Sequence, residues 1–259
     1  MQKITIKKIL KKKNKTPIVC TTAYSKTIAQ IVDKYCDIVL VGDSLGMVLY
    51  GMKTTRNVKI ETMILHAKTV KDFTRRSLVV FDMPYKTYTN KFIAYKNAKK
   101  VMRITNCDAV KLEGGKKITN IIKYLTRKKI PVMGHIGLLP QTSIDFKRKG
   151  KNIAQERKIM DDAMAVSNSG AFAIIMECIV EKLAKKITKN VSIPTIGIGA
   201  SKFCDGQILV TDDMLGLSDY VPKFVKQYSN LKKVIEKSIK NYAGDVKQRK
   251  FPFNKNVYK

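Results

Sequence analysis

A (β/α)8 TIM barrel is the fold class this sequence predicts, on three observations. Eight short apolar runs recur along the 259 residues, each rich in Val, Ile or Leu and too short to be a buried helix. Stretches with helical spacing lie between them, so strand and helix alternate. Eight such units in about 250 residues match one closed parallel barrel. A doubly wound open sheet is the alternative.

The runs are Pro17 to Thr22, Asp37 to Asp43, Ser77 to Met83, Cys107 to Leu112, Ile130 to Gly134, Ala171 to Met176, Ile193 to Ile198 and Gln207 to Thr211. Pro17, Pro131 and Pro194 stand at or near the start of a run, where a missing N–H costs the strand ladder least. Helical spacing is carried by Ile28, Ile31, Val32 and Tyr35, by Ile118, Ile121, Ile122 and Leu125, and by Leu183, Ala184 and Ile187. The seventh connection, Gly199 to Gly206, is too short for a full helix. Lys223 to Tyr242, with Phe224, Tyr228, Leu231, Ile235, Ile239 and Tyr242 in one stripe, predicts the closing helix, and the Lys-rich tail after Ala243 is expected to be loosely ordered. No repeat or Gly/Ser linker divides the chain, so residues 1–259 are expected to form a single domain, with a basic segment at 1–15 and the closing helix and tail at 223–259.

The formal charge of +31 invites a nucleic-acid reading. Of the cations, 43 are Lys and 8 are Arg, and Ile occurs 29 times against 14 Ala, which is the signature of A/T-rich codons rather than of a polyanion site. The lysines are also spread along the whole chain, so no specific nucleic-acid partner is expected. No apolar run approaches the roughly 18 residues of a membrane span. Met1 to Lys15 lacks the apolar stretch of a signal peptide and reads as structural, so a cytoplasmic protein is expected. Cys20, Cys36, Cys107, Cys178 and Cys204 are odd in number and scattered, which argues against a zinc site or a disulfide scaffold.

Active sites of parallel barrels lie at the C-terminal ends of the strands. Here those ends are polar: Asp43, Asp82, Lys111 with Glu113, His135 and Glu177. The chain has only six glutamates and two histidines, so this placement is poorly explained by surface solvation. Asp43, Asp82 and Glu113 come from consecutive strands, and oxygen-only ligands of this kind suit Mg2+. Lys111 alternates with Glu113 and shares its face, where a cation beside a metal suits an anionic substrate such as a 2-oxo acid. Glu177 lies two strands beyond and is the candidate general base, while a metal acts as Lewis acid on the substrate carbonyl. His135 is placed to hydrogen-bond base or substrate. His66 reads as an exposed or capping residue, and a thiol nucleophile at Cys20 or Cys178 lacks a dedicated base. Gly-rich turns at Val41 to Gly46 and Gly197 to Ala200 lack the full dinucleotide spacing, which excludes a nicotinamide site.

With these residues in view, the sequence resembles the ketopantoate (3-methyl-2-oxobutanoate) hydroxymethyltransferase family. The resemblance is carried by Val41-Gly-Asp-Ser-Leu-Gly-Met47, Asp82-Met-Pro84, Val110-Lys-Leu-Glu-Gly-Gly115, Pro131 to Gln141, Met176-Glu-Cys178, Pro194 to Ala200 and Asp205 to Val210, in order along nearly the whole chain. It implies a one-carbon transferase that uses 5,10-methylenetetrahydrofolate and Mg2+ to convert 3-methyl-2-oxobutanoate to 2-dehydropantoate, a step of pantothenate biosynthesis. It further implies that Asp43, Asp82 and Glu113 hold the metal, that Ser44 and Lys111 bind the 2-oxo acid against Asp43 and Asp82, and that Glu177 takes the C3 proton. A large, ring-type homo-oligomer is also implied. Ser25, Val180 and Ser201 depart from the family's usual Asp, Pro and Gly, and lower rate or folate affinity is the expected consequence. The competing expectation is another Mg2+-dependent barrel lyase or mutase acting on a 2-oxo acid or phosphoenolpyruvate, which could dispense with folate.

Overall fold

Eight parallel strands pair in sequence order: β1 (Ile18–Thr22), β2 (Ile38–Val41), β3 (Leu78–Asp82), β4 (Ala109–Glu113), β5 (Val132–Gly137), β6 (Ala173–Glu177), β7 (Thr195–Ile198) and β8 (Gly206–Leu209). Pairing of β8 with β1, from Gly206 opposite Ile18 to Leu209 opposite Thr21, closes the barrel. The computed structural model describes residues 2–143 and 147–258, so Met1 and Lys259, the ends of the expected basic segment and tail, lie outside the described residues. Contacts divide the chain into two compact units, Met1–Val210 and Thr211–Lys259.

In the first unit α1 (Ile6–Lys11) precedes β1 and α2 (Lys26–Tyr35) follows it. A short α3 (Leu45–Val48) and α4 (Ile60–Asp72) follow β2. Then α5 (Lys91–Thr105), α6 (Thr119–Arg127), α7 (Ile153–Ser167) and α8 (Glu181–Asn190) follow β3 to β6 in turn. No helix separates β7 from β8, in keeping with the short Gly199 to Gly206 connection.

The two-residue period of a strand sorts each side chain to one of two layers. Val39, Val41, Val79, Phe81, Val110, Leu112, Ile174 and Met176 point outward and pack with the buried faces of the helices. Ile18, Cys20, Ile38, Leu40, Leu78, Val80, Ala109, Met133, Ala173, Ile175, Ile196 and Ile208 form a separate inner cluster. Both layers are apolar, which is why the strands read as continuous hydrophobic runs rather than alternating ones.

The N-terminal segment belongs to the inner cluster, through Ile4 and the fully buried Ile9 of α1. Its lysines are pinned to aspartates beside the strand starts: Lys3 to Asp108 at 3.1 Å, Lys12 to Asp37 at 2.8 Å and Lys13 to Asp205 at 2.8 Å. Part of the basic composition therefore has a structural use. Ile9→Ala removes a buried side chain from a closed core and should lower stability by about 2–5 kcal/mol. Urea unfolding would show this as a lower midpoint at unchanged slope.

The second unit contains α9 (Thr211–Leu215) and α10 (Leu231–Lys247). The expected helix from Lys223 starts later than predicted. Asn230 caps α10 by accepting the Lys233 N–H at 3.2 Å, and Tyr228 donates its N–H to Met214 O at 2.9 Å, so Phe224 and Tyr228 stand outside the helix. At its other end α10 runs four residues beyond Ala243, where a loose tail was expected.

Candidate active site

The inner positions that close strands β3 to β6 are where the barrel lining turns from apolar to charged. On β3 the inward series is Leu78, Val80, Asp82; on β4 it is Ala109, Lys111, Glu113. On β5 Met133 is followed by His135 and Gly137, and on β6 Ala173 and Ile175 are followed by Glu177. Register sets Asp82 opposite Lys111, Glu113 opposite His135, and Gly137 opposite Glu177. Asp43 follows β2 and donates its backbone N–H to Asp82 Oδ2 at 3.3 Å. Asp43, Asp82, Lys111, Glu113, His135 and Glu177 are thereby brought together in one chain of neighbours, all buried except the half-buried Glu177. Ser44 is held differently, with its Oγ 2.8 Å from Tyr24 Oη.

Lys111 Nζ lies 2.8 and 2.9 Å from the two oxygens of Asp82 and 3.5 Å from Glu113 Oε1. Burial alone would push this ammonium down, but the charges of Asp82, Glu113 and Asp43 outweigh it and hold its pKa above the usual lysine value. Asp43 is pushed well above the carboxylate range by burial and by the repulsion of Asp82, despite the pull of Lys111. Glu113 is raised by burial as well, against the pull of Lys111 and His135. One cation thus serves three buried carboxylates, leaving the cluster short of positive charge.

Among the described residues there is no group of three or more His, Cys, Asp or Glu side chains that could hold a metal ion. Asp43, Asp82 and Glu113, the acids expected to hold a metal, all act on one ammonium. That ammonium, Lys111 Nζ, is held by Asp82 and Glu113, while Glu113 Oε2 also accepts the Gln141 N–H at 3.1 Å. Asp43 and Asp82 remain as an oxygen pair, and one or two carboxylates are the usual protein share of a Mg2+ site. The charge deficit and the oxygen donors of this pair fit a divalent cation.

On the far side of Glu113, His135 Nδ1 is 3.6 Å from Glu113 Oε1 and His135 Nε2 is 3.3 Å from Glu177 Oε2. Both ring nitrogens are buried and neither makes an aligned hydrogen bond. Glu177 thus has a potential proton partner in His135, apart from the Lys111 cluster. The chain turns sharply after it: Cys178 has φ of +53°, an unusual conformation for a side-chain-bearing residue, and its N–H and C=O bond Ile198 O and Lys149 N. Burial and the Glu177 charge push the Cys178 thiol up to about 12, and burial raises Cys20 well above its ordinary value, so neither is a ready thiolate.

Gly137 shows how tightly Glu177 is seated. Its φ is +93°, and a Cβ there would fall 2.3 Å from Glu177 O, which accepts the Leu138 N–H at 2.9 Å. Gly137→Ala should destabilise the fold by about 1–3 kcal/mol through overpacking, besides the roughly 1–2 kcal/mol of a left-handed alanine. Turnover in the fraction that remains folded by circular dichroism should fall as well, because relief of the clash moves the Glu177 backbone.

Gln141 and Tyr88 were not singled out from the sequence. Gln141 is fully buried and donates Nε2–H to Asp43 Oδ2 at 2.9 Å and to Met83 O at 3.0 Å. Tyr88 donates its O–H to Gln141 Oε1 and accepts the Glu113 N–H at 3.2 Å. The only sequence signal for Gln141 was its place at the end of the Pro131 to Gln141 segment; Tyr88 had none. Two departures lie away from the charged chain. Ser25 is an exposed N-cap whose side chain makes no capping bond, and the buried Ser201 Oγ accepts the Phe203 N–H at 3.1 Å. His66, expected to be exposed or capping, is half-buried in the middle of α4 with both ring nitrogens hydrogen-bonded.

A closed parallel barrel with paired acids, a buried ammonium and a separate glutamate at its strand mouths belongs to a class: barrel enzymes that work on small molecules at the C-terminal rim. Solved structures similar to this chain are of that fold. A 2,3-dimethylmalate lyase of the PEP mutase/isocitrate lyase superfamily has a TM-score of 0.63 at 11% identity, covering 99% of this chain and 89% of its own. A phosphonopyruvate hydrolase solved with oxalate and Mg2+ has a TM-score of 0.62 at 9% identity, covering 100% and 92%. At the level of sequence the match is specific: the ketopantoate hydroxymethyltransferase family model covers residues 3–254, and the chain belongs to that family. The 3-methyl-2-oxobutanoate hydroxymethyltransferase of Pelagibacter ubique (strain HTCC1062) is 53% identical over 97% of this chain and 99% of its own. Its counterpart from Bartonella tribocorum is 49% identical over 100% and 97%.

Proposed function

We propose that the chain transfers a hydroxymethyl group from 5,10-methylenetetrahydrofolate to 3-methyl-2-oxobutanoate, giving 2-dehydropantoate by way of an enolate. The observation that carries the mechanism is the separation of two carboxylate environments: Asp43 and Asp82 lie in the Lys111 cluster, whereas Glu177 meets His135 beyond it. Asp43, Asp82 and Glu113 would hold Mg2+, and the metal would supply Lewis-acid stabilisation of negative charge on a keto oxygen. Lys111 and Ser44 bind the 2-oxo acid. Glu177 removes the C3 proton, and His135 orients that carboxylate or hydrogen-bonds the substrate. The C3 carbanion then bonds to the folate-borne methylene carbon; the carbon–nitrogen bonds to the folate break, water supplies the hydroxyl oxygen, and tetrahydrofolate leaves. Glu113 also engages Lys111 and the Gln141 N–H.

The test is a proton NMR time course of 3-methyl-2-oxobutanoate in deuterated buffer with protein, Mg2+ and methylenetetrahydrofolate, repeated with a chelator. New hydroxymethyl signals that vanish with the chelator are expected, along with C3 exchange when folate is omitted. Carbon–carbon cleavage without folate would replace this reading by the lyase one.

A further inference from the structure

One half-buried histidine on α4 links the two backbone segments that flank Ser44. His66 Nδ1 is 2.7 Å from Tyr24 O, at the end of the β1 segment. His66 Nε2 is 2.9 Å from Tyr50 Oη, and the two rings meet edge-on at 5.9 Å. Tyr24 Oη in turn is 2.8 Å from Ser44 Oγ, and Ser44 opens α3, whose end leads directly to Tyr50. The contacts close a ring: Ser44, Tyr24, His66, Tyr50 and back through α3 to Ser44.

The chemistry of the acceptors assigns the proton on the imidazole. A carbonyl oxygen only accepts, so His66 Nδ1 carries the hydrogen and donates it to Tyr24 O. In neutral His66, Nε2 then accepts the Tyr50 O–H. His66 touches none of Asp43, Asp82, Lys111, Glu113 or Glu177 through any of these bonds, so its action on the site passes through Tyr24 and α3.

We propose that His66 is a positioning residue that sets affinity for the 2-oxo acid by clamping Ser44 between Tyr24 and Tyr50. The proposal rests on the reading that Ser44 binds this substrate. Ser44 follows the Gly42 and Asp43 turn, and Tyr24 Oη is the partner that holds its hydroxyl. His66 fixes the backbone of Tyr24 and, through Tyr50, the far end of the four-residue helix that Ser44 begins. Losing the clamp loosens substrate binding without changing the base or the cation-holding pair.

The kinetic test compares His66→Leu, His66→Asn, Tyr24→Phe and Ser44→Ala. In His66→Leu the KM for 3-methyl-2-oxobutanoate should rise roughly 3- to 10-fold, the range of one hydrogen bond, with kcat within about twofold and the KM for methylenetetrahydrofolate unchanged. His66→Asn places an amide N–H near the lost Nδ1–H and should restore most of the affinity. In a Ser44→Ala background His66→Leu should add little, because both act on the same contact. An unchanged KM, a fall confined to kcat, or full additivity with Ser44→Ala would overturn the proposal.

A second measurement is independent of turnover and of the folding of His66→Leu. The chain has only two histidines, His66 and His135, so 15N-histidine labelling of the unmodified protein gives two imidazoles, assigned with His66→Asn. An Nδ1–H tautomer at His66 is expected, and an Nε2–H tautomer would overturn the clamp whatever the activity. Absence of both turnover and C3 exchange in unmodified protein whose His66 shows the Nδ1–H tautomer would count against the functional reading and leave the clamp standing.

Discussion

Glu177→Gln should lower turnover by about 10²- to 10⁴-fold, the usual contribution of a positioned general base. The substitution keeps the size and one oxygen of the side chain while removing its capacity to take a proton. Because Glu177 contacts His135 rather than Lys111, the Asp43 and Asp82 pair should be undisturbed. Exchange of the C3 proton of 3-methyl-2-oxobutanoate should therefore disappear with product formation, while Mg2+-dependent binding of the substrate, measured by calorimetry, persists. Near-normal exchange would remove Glu177 from the mechanism. Loss of binding together with exchange would assign it to the substrate site instead.

Lys111→Met should have the largest effect on stability. Deleting one partner of a buried ionic cluster leaves uncompensated charge and typically costs about 3–5 kcal/mol. Here three carboxylates, Asp82, Glu113 and Asp43, lose the ammonium that faces them. The pH dependence follows from the directions of the shifts. Burial already holds Asp43 and Glu113 above the ordinary carboxylate range, and the loss of Lys111 raises both further. A carboxyl with a raised folded-state pKa favours folding fully below its unfolded value of about 4, and that contribution is lost as pH rises through the folded value. Lys111 itself, raised above its ordinary value, stabilises throughout the neutral range and loses this only in strong alkali. The stability difference between unmodified protein and Lys111→Met should accordingly be smaller at pH 5 than at pH 7.5 in urea unfolding, where self-repulsion common to both chains cancels. A difference that does not change with pH would show that the carboxylates do not depend on Lys111.

The two effects separate on the molecule for the same reason they separate in experiment. Asp82 and Lys111 are paired across β3 and β4, Glu113 and His135 across β4 and β5, and Glu177 ends β6. Charge compensation is thus concentrated on one side of the mouth and Glu177 stands on the other, with His135 between them. Gly137 keeps the second side in place by allowing the β5 backbone to approach Glu177 O.

Most of this was legible in the order of residues. A strand has period two and a buried parallel strand is apolar on both faces, so Val-Val-Phe-Asp82 and Val-Lys111-Leu-Glu113 announce both a barrel strand and the polar residues that close its inner face. Asp43, Asp82, Lys111, Glu113, His135 and Glu177 were readable as mouth residues because barrel chemistry is confined to strand ends. The same local logic found the short seventh connection. It misplaced the start of the last helix, because the apolar stripe from Phe224 continues in helical spacing across the Asn230 cap that begins the real helix.

Tertiary structure decided what depends on distance between remote segments. That Glu113 also takes the Gln141 N–H is settled by the loop that follows β5. Gln141 and Tyr88 enter the site from loops after β5 and β3, where no periodicity marks a direction. His66 carries no local sign of the Tyr24 carbonyl it meets 42 residues away. Sequence by itself determined the barrel and the residues at its mouth, since strand period and the polarity of strand ends are local properties of the chain. The partners those residues take were decided only by the closed fold, which brings acids and one lysine from the strand ends, and Tyr24 and Tyr88 from the loops, within bonding distance.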